Sequence, residues 1–186
     1  MSTGRKRDLF PPLPEGHFEI IYADPPWPYD GLQFHGNKPV SAASWHYPTP
    51  SMGDIMSLDV ESISADDSLL FMWVTGPKLG EGCIDIMEFW GFKYATVAFV
   101  WDKVTPNPGF YTISQCEFVL VGRRGRIPKP RGARNVRQLL TDFREDHATK
   151  PQIIRERIEE MFPEQSKVEL FARQPHPGWT SWGNEV

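Results

Sequence analysis

The chain has 186 residues, 40% of them hydrophobic and 24% charged, with a formal net charge of −4. At roughly 100–200 residues per domain, that length predicts one globular domain with a real core and argues against a two-domain enzyme. The longest apolar run, Leu69 to Val74, is too short to span a bilayer. The basic N-terminus runs into Asp8 and prolines where a secretory signal needs an apolar core, so no membrane partner and a cytoplasmic location are expected.

In chain order, Glu19–Tyr22 is a short apolar run that stops at Asp24-Pro25-Pro26, which reads as a strand followed by a rigid loop. Residues 29–50 are polar, rich in Gly, Pro and Ser, and lack periodicity; loops of that length in small domains usually serve a function or stay disordered. Ser51–Leu58 resembles a capped helix, and Leu69–Val74 is the continuous apolar run of a fully buried strand. Leu79, Cys83, Ile86, Met87 and Trp90 recur at helical spacing and predict a helix over 79–90, with Gly91 as its stop. Ala95–Trp101 and Glu117–Val121 read as β-branched, aromatic-rich strands. A helix opens at Pro151 and ends before Pro163, with Ile153, Ile154, Ile158 and Met161 as its stripe, and Val168–Ala172 is a final strand. Strands alternating with helices predict an α/β layer fold with a largely parallel sheet.

Charge is unevenly spread. Arg123–Arg137 holds seven basic residues and no acidic one, which leaves the rest with thirteen basic against twenty-four acidic residues, a net −11. Alone, such a strip is a solvated loop; on an acidic body it also reads as the one place for a polyanion. Cys83 and Cys116 form no CxxC, and five scattered histidines show no HxxxH or HxH pairing, so no disulfide framework and no metal are expected.

The residues before a proline are held out of the helical region, so Asp24-Pro25-Pro26-Trp27 presents an extended backbone. The Asp24 carboxylate and the Pro25 carbonyl then become two neighbouring acceptors suited to an NH₂ group, with the Trp27 face open to a stacking nucleobase. Asp24-Pro-Pro-Trp27 after a strand resembles motif IV of amino-group methyltransferases that use S-adenosylmethionine. Its tryptophan form is similar to the DPPW-type adenine methyltransferase family, whose eukaryotic members methylate adenosine in messenger RNA. His46–Thr49, Leu70–Thr75, Glu117–Gly125, Lys150-Pro151, Glu169–Arg173, Gly178-Trp179 and Trp182–Glu185 also resemble that family in its order, covering about residues 18–186.

The resemblance implies a Rossmann-like, circularly permuted methyltransferase fold over 18–186 after an N-terminal tail, with helices on both faces of the sheet. The motif IV strand would come first and the cofactor strand, 168–172, last, and the G-x-G expected after that strand is absent. It implies S-adenosylmethionine as cofactor, with Asp24, Lys150, Arg173, Asn184 and Glu185 around it. Lys150 misfits the positive end of a helix dipole, which favours a role for it. Asp24, Pro25, Pro26 and Trp27 would be catalytic. Tyr29, His46 and Tyr47 would line a base pocket, and Arg123, Arg124, Arg131 and Arg134 would hold phosphates. Short, solitary members resemble those of bacteria and phages, which favours adenine in DNA over RNA; a homodimer and a non-catalytic nucleic-acid-binding relative stay open.

Overall fold

The computed structural model describes residues 9–28, 33–35, 38–40, 50–109, 111–143 and 150–186. Tyr29, His46 and Tyr47 lie outside them. In chain order the elements are β1 (Phe18–Ala23), β2 (Gln33–His35), β3 (Lys38–Val40), α1 (Met52–Met56), β4 (Ser64–Thr75), α2 (Gly76–Leu79), α3 (Cys83–Phe89), β5 (Lys93–Asn107), β6 (Ser114–Arg124), β7 (Leu139–Thr141), α4 (Gln152–Met161), β8 (Lys167–Leu170) and β9 (Thr180–Trp182).

Seven strands form one sheet in the order β7-β5-β6-β4-β1-β8-β9, and β2 and β3 pair as a separate ribbon. β1 is parallel to β4 and β8, β8 to β9, and β5 to β7; only β6 runs against its neighbours β4 and β5. The sheet is mostly parallel, and its central strands are apolar on both faces because both are covered. Ile21, Ala23, Leu70 and Met72 pack under α1 and α3, through Ile55, Ile86 and Met87. Ile20, Tyr22, Phe71 and Trp73 point to the opposite face and pack under α4, through Ile154 and Ile158. This is the alternation that a buried parallel strand requires.

Local chemistry accounts for the helix ends. Ser51 and Asp54 form a reciprocal capping box at α1, Asp54 N–H donating to Ser51 Oγ at 3.1 Å and Ser51 N–H to Asp54 Oδ2 at 2.9 Å. The helix expected over 79–90 is broken. Leu79 ends α2, and Gly82, at φ 90°, enters α3 in a left-handed conformation. Residues 80–82 are Gly-Glu-Gly, and two glycines in three positions outweigh the apolar spacing that bridged them. Gly91, at φ 85°, stops α3 as expected.

Part of the expected tail belongs to the body. The Phe10 ring packs 5.6 Å from Phe171 and 6.0 Å from Trp182, and Trp182 Nε1 donates to the Pro12 carbonyl at 2.8 Å. Among the described residues no helix is long and apolar enough to cross a membrane.

Candidate active site

In an open parallel sheet, ligands bind beyond the carboxyl ends of the strands, where neighbouring connections diverge. Here that point lies between β1 and β8, which are far apart in sequence and adjacent in the sheet. Asp24 leaves β1 at this edge, its N–H donating to the Leu170 carbonyl of β8 at 3.4 Å. A cleft of about 470 Å³ opens there, lined by Tyr22, Asp24, Lys150, Glu169, Phe171 and Arg173 among others.

The first residue of this site comes from β1, the second from the start of α4, and the third from β6. Lys150 Nζ lies 2.6 Å from Glu117 Oε2 and 3.4 Å from Asp24 Oδ1. Glu117 is held in turn by Lys103 Nζ, 3.3 Å away and almost fully buried. Four charges thus form a chain, Lys103, Glu117, Lys150, Asp24, that sums to zero and ends at the cleft. A lysine at a helix start, unfavourable by the helix dipole alone, is explained by the two carboxylates that face it.

Aromatic groups fix this chain in place. Lys150 Nζ sits 4.9 Å from the centroid of the Trp73 ring, a cation–π contact. Trp73 Nε1 donates to the Tyr22 hydroxyl at 2.5 Å, and its carbonyl accepts from Trp27 Nε1 at 3.0 Å. Trp27 is only 7% exposed and packs in the core. It therefore offers no open face for a base, contrary to the sequence expectation: an indole with an apolar layer beneath it and a carbonyl at its N–H gains more from burial than from solvent. Its place is to pin the Asp24 loop to β4. The Pro25 carbonyl already accepts the Trp27 N–H at 2.8 Å, so the prolines shape a tight turn. Pro25 is buried and Pro26 exposed.

The titration of the chain follows from burial and charge. Burial raises the Asp24 carboxyl above its usual range, with Glu117 adding to this and Lys150 and Arg173 opposing. Burial also pushes Glu117 up, but Lys150 and Lys103 outweigh it and hold the group below its ordinary value. Lys150 is drawn down by burial, yet Asp24 and Glu117 together keep it above the usual lysine range. Glu117 and Lys150 therefore favour each other's charged form, and of the two carboxyls facing Lys150 only Asp24 is shifted upward.

The floor of the cleft holds a second pair. Arg155 of α4 donates from Nε and from a terminal nitrogen to the two oxygens of Glu169 at 3.1 and 3.0 Å, with its guanidinium 5.7 Å from the Tyr22 ring centroid. Beyond β8 the chain turns through Phe171 at φ 63°, left-handed without glycine, a strain of the kind found at binding sites. The close approach that a glycine would give comes instead from Gly183, where a Cβ would lie 2.6 Å from the Ala172 carbonyl.

Of the sequence-predicted residues, Asp24, Lys150 and Arg173 meet in the cleft. Asn184 reaches the same edge through β9, but its amide donates to the Leu9 carbonyl at 3.1 Å and it does not line the cleft; Glu185 is exposed beside it. The arginines do not join them. Arg123 and Arg124 pair with Leu69 and Ser68, at the amino end of the parallel strands, where Arg124 meets Glu61 at 2.6 Å. Arg131 stacks 4.9 Å over the Phe162 ring, and the neighbouring Gly132 N–H donates to the Met161 carbonyl at the far end of α4. The exposed Arg134 follows on that segment. The reason is topological: β6 is antiparallel, so the residues after it emerge on the edge opposite to Asp24. Glu117, Lys103, Glu169 and Arg155 carried no assignment from the sequence. A carboxylate opening the apolar strand Phe118–Val121 was the signal available for Glu117.

A mostly parallel sheet with its cleft at the β1/β8 edge, and an acidic DPPW turn in that cleft, define a methyltransferase-type α/β fold. The MT-A70 family model matches residues 18–185, and the chain belongs to that family. It is 48% identical over 192 residues to the type II methyltransferase M.MunI from a Mycoplasma species, covering 96% of this chain and 82% of that protein. It is 31% identical over 185 residues to an Arabidopsis thaliana N(6)-adenosine-methyltransferase MT-A70-like protein. Human METTL3, an N(6)-adenosine-methyltransferase catalytic subunit, is 30% identical over 186 residues. The chain spans 24% and 28% of the lengths of these last two relatives.

Proposed function

We propose that this protein is a site-specific DNA methyltransferase that moves the methyl of S-adenosylmethionine to the exocyclic 6-amino group of adenine. The observation that carries the reading is Asp24 in the cleft, at the end of a neutral charge chain with Lys150, Glu117 and Lys103. The resemblance to M.MunI over most of both chains favours DNA.

The cleft suits a cofactor that bears both charges. Its lining holds Asp24, Asp142 and Glu169 as carboxylates and Lys150, Arg155 and Arg173 as cations; with Glu169 held by Arg155 and Asp24 by Lys150, Asp142 and Arg173 would meet cofactor charges of opposite sign. When bound, S-adenosylmethionine supplies an activated methyl group, which leaves alignment and electrostatics to the protein. The adenine amine is a weak nucleophile because its lone pair is delocalised into the ring. Asp24 would accept an N–H of that amine and favour the tetrahedral nitrogen that attacks. Lys150 and Glu117 keep the Asp24 carboxylate in place, and the Trp27–Trp73 hydrogen bond keeps its loop on the sheet.

A nucleoside digest tests the reading. Purified protein with S-adenosylmethionine is incubated with methylation-free DNA and with RNA, and the products are separated by mass spectrometry. 6-Methyladenine in the DNA is expected. Its appearance only in RNA would turn the assignment to the adenosine branch represented by METTL3, and its absence from both would leave a nucleic-acid-binding relative without activity.

A further inference from the structure

β5 and β6 continue well past the rest of the sheet. Asp24 follows Ala23, which pairs with Met72, itself paired with Leu120. Asp24 therefore stands level with Val119, and the last pair of the hairpin, Asn107 with Ser114, lies five residues further out. At about 3.4 Å per residue the hairpin end stands about 17 Å beyond the level of Asp24 and, because β4 accompanies β6 as far as Thr75 opposite Glu117, about 10 Å beyond the end of β4. The overhang begins at a bulge between Asp102 and Asn107. Val104 there has φ 62°, a strained value for a β-branched residue. Asp102 Oδ1 clamps the bulge by accepting from Val104 N–H at 2.9 Å and Gln115 Nε2 at 2.7 Å. Lys103 turns inward from the same bulge to Glu117. The arm is thus built onto the charge chain of the site.

Among the described residues near its tip, two apolar side chains are bare. Tyr111 is fully exposed and Ile113 is 69% exposed. From Lys103 to Cys116 the chain carries one basic residue and no carboxylate, on a protein with 24 acidic residues. Resting on the DNA reading above, we propose that this arm is a duplex-engaging wedge. It would enter a groove beside the target and set Tyr111 and Ile113 against the base step from which the adenine is extruded.

Three physical features favour this occupant. A two-stranded ribbon fits a DNA major groove of about 12 Å. Apolar side chains inserted between base steps unstack them, and a base buried in a duplex must leave the stack before its amine reaches Asp24. A polyanion is repelled least where no carboxylate faces it, whereas a second copy of this acidic chain would find no charge partner on the arm.

The test compares native with heat-denatured, methylation-free genomic DNA, following transfer of a labelled methyl by the full-length protein. Tyr111→Ala with Ile113→Ala is expected to lower transfer to native DNA about tenfold or more and to leave transfer to denatured DNA within about twofold. Tyr111→Phe, which keeps the ring, should retain duplex activity. Equal losses on both substrates would overturn the proposal, as would no loss on either. So would a changed oligomeric state of the double variant in sedimentation, which would assign the arm to a second copy. Parent protein inactive on both DNA forms would instead refute the DNA reading itself.

Discussion

The two ends of the central sheet carry similar numbers of charges and use them differently. At the carboxyl edge, Lys103, Glu117, Lys150 and Asp24 share partners in series, and each side chain is no more than 25% exposed. At the amino edge, Arg124 meets Glu61 and Arg126 meets Asp67 as separate pairs; the Glu61 and Arg126 side chains are 55% and 89% exposed. A charge held in a buried series depends on every other member, because water does not replace a lost partner. An exposed pair is screened and dispensable. The proposed function therefore rests on the coupled end, even though the basic strip is the more conspicuous feature in sequence.

Breaking the coupled end at its tip should have the largest effect. Asp24→Asn keeps the shape and removes the charge, and kcat is expected to fall by about 10²-fold or more while the folded state persists, as read by steady-state kinetics beside circular dichroism. Near-full activity in this variant would remove the catalytic assignment.

The interior of the series sharpens the comparison through pH. Asp24 acts as an acceptor when ionised, and burial raises its pKa. Activity should therefore be lost as pH falls through a value above the ordinary carboxylate pKa of about 3.9. Lys150 opposes the rise and Glu117 adds to it. Lys150→Met should move the acid limb of the kcat profile to higher pH with about tenfold or greater loss at neutral pH. Glu117→Gln should move the limb the other way, to lower pH. Limbs that shift together, or not at all, would show that Asp24 does not set the profile.

The smallest effect is expected at the amino edge. Arg124→Ala removes a pair whose Arg124 side is 26% exposed and whose Glu61 side is 55% exposed, a contact of about 1 kcal/mol, and should leave methyl transfer and DNA affinity unchanged. A loss of DNA affinity here would restore the strip as a phosphate-binding surface despite its distance from Asp24.

Much of the frame was legible because local patterns state it directly. The apolar runs at 19–22 and 69–74 became β1 and β4 because a strand buried on both faces must be apolar throughout. Pro151 marked the start of α4, and the capped-helix pattern of Ser51–Leu58 marked α1. The DPPW turn and Lys150 could be placed at one site from their chemistry and from resemblance. The break at 80–82 was missed because apolar spacing continued across two glycines whose backbone freedom decided the matter. The short strands β7 and β9 were missed because three residues carry no periodicity of their own.

By itself the sequence determined the alternation of strands and helices, the acidic proline turn after the first strand and the candidate lysine, because propensity, backbone restriction and patterning act within a few residues. Strand direction was decided only in three dimensions. By running antiparallel, β6 brings Glu117 up to Lys150 and carries Arg123 and Arg124 to the far edge, and nothing local to either segment encodes which end of a sheet it will occupy. Burial of Trp27 was likewise settled by its hydrogen bond to β4 and its place in the core cluster, since an indole beside two prolines can face water or core, and only the tertiary contacts make the core the lower free energy.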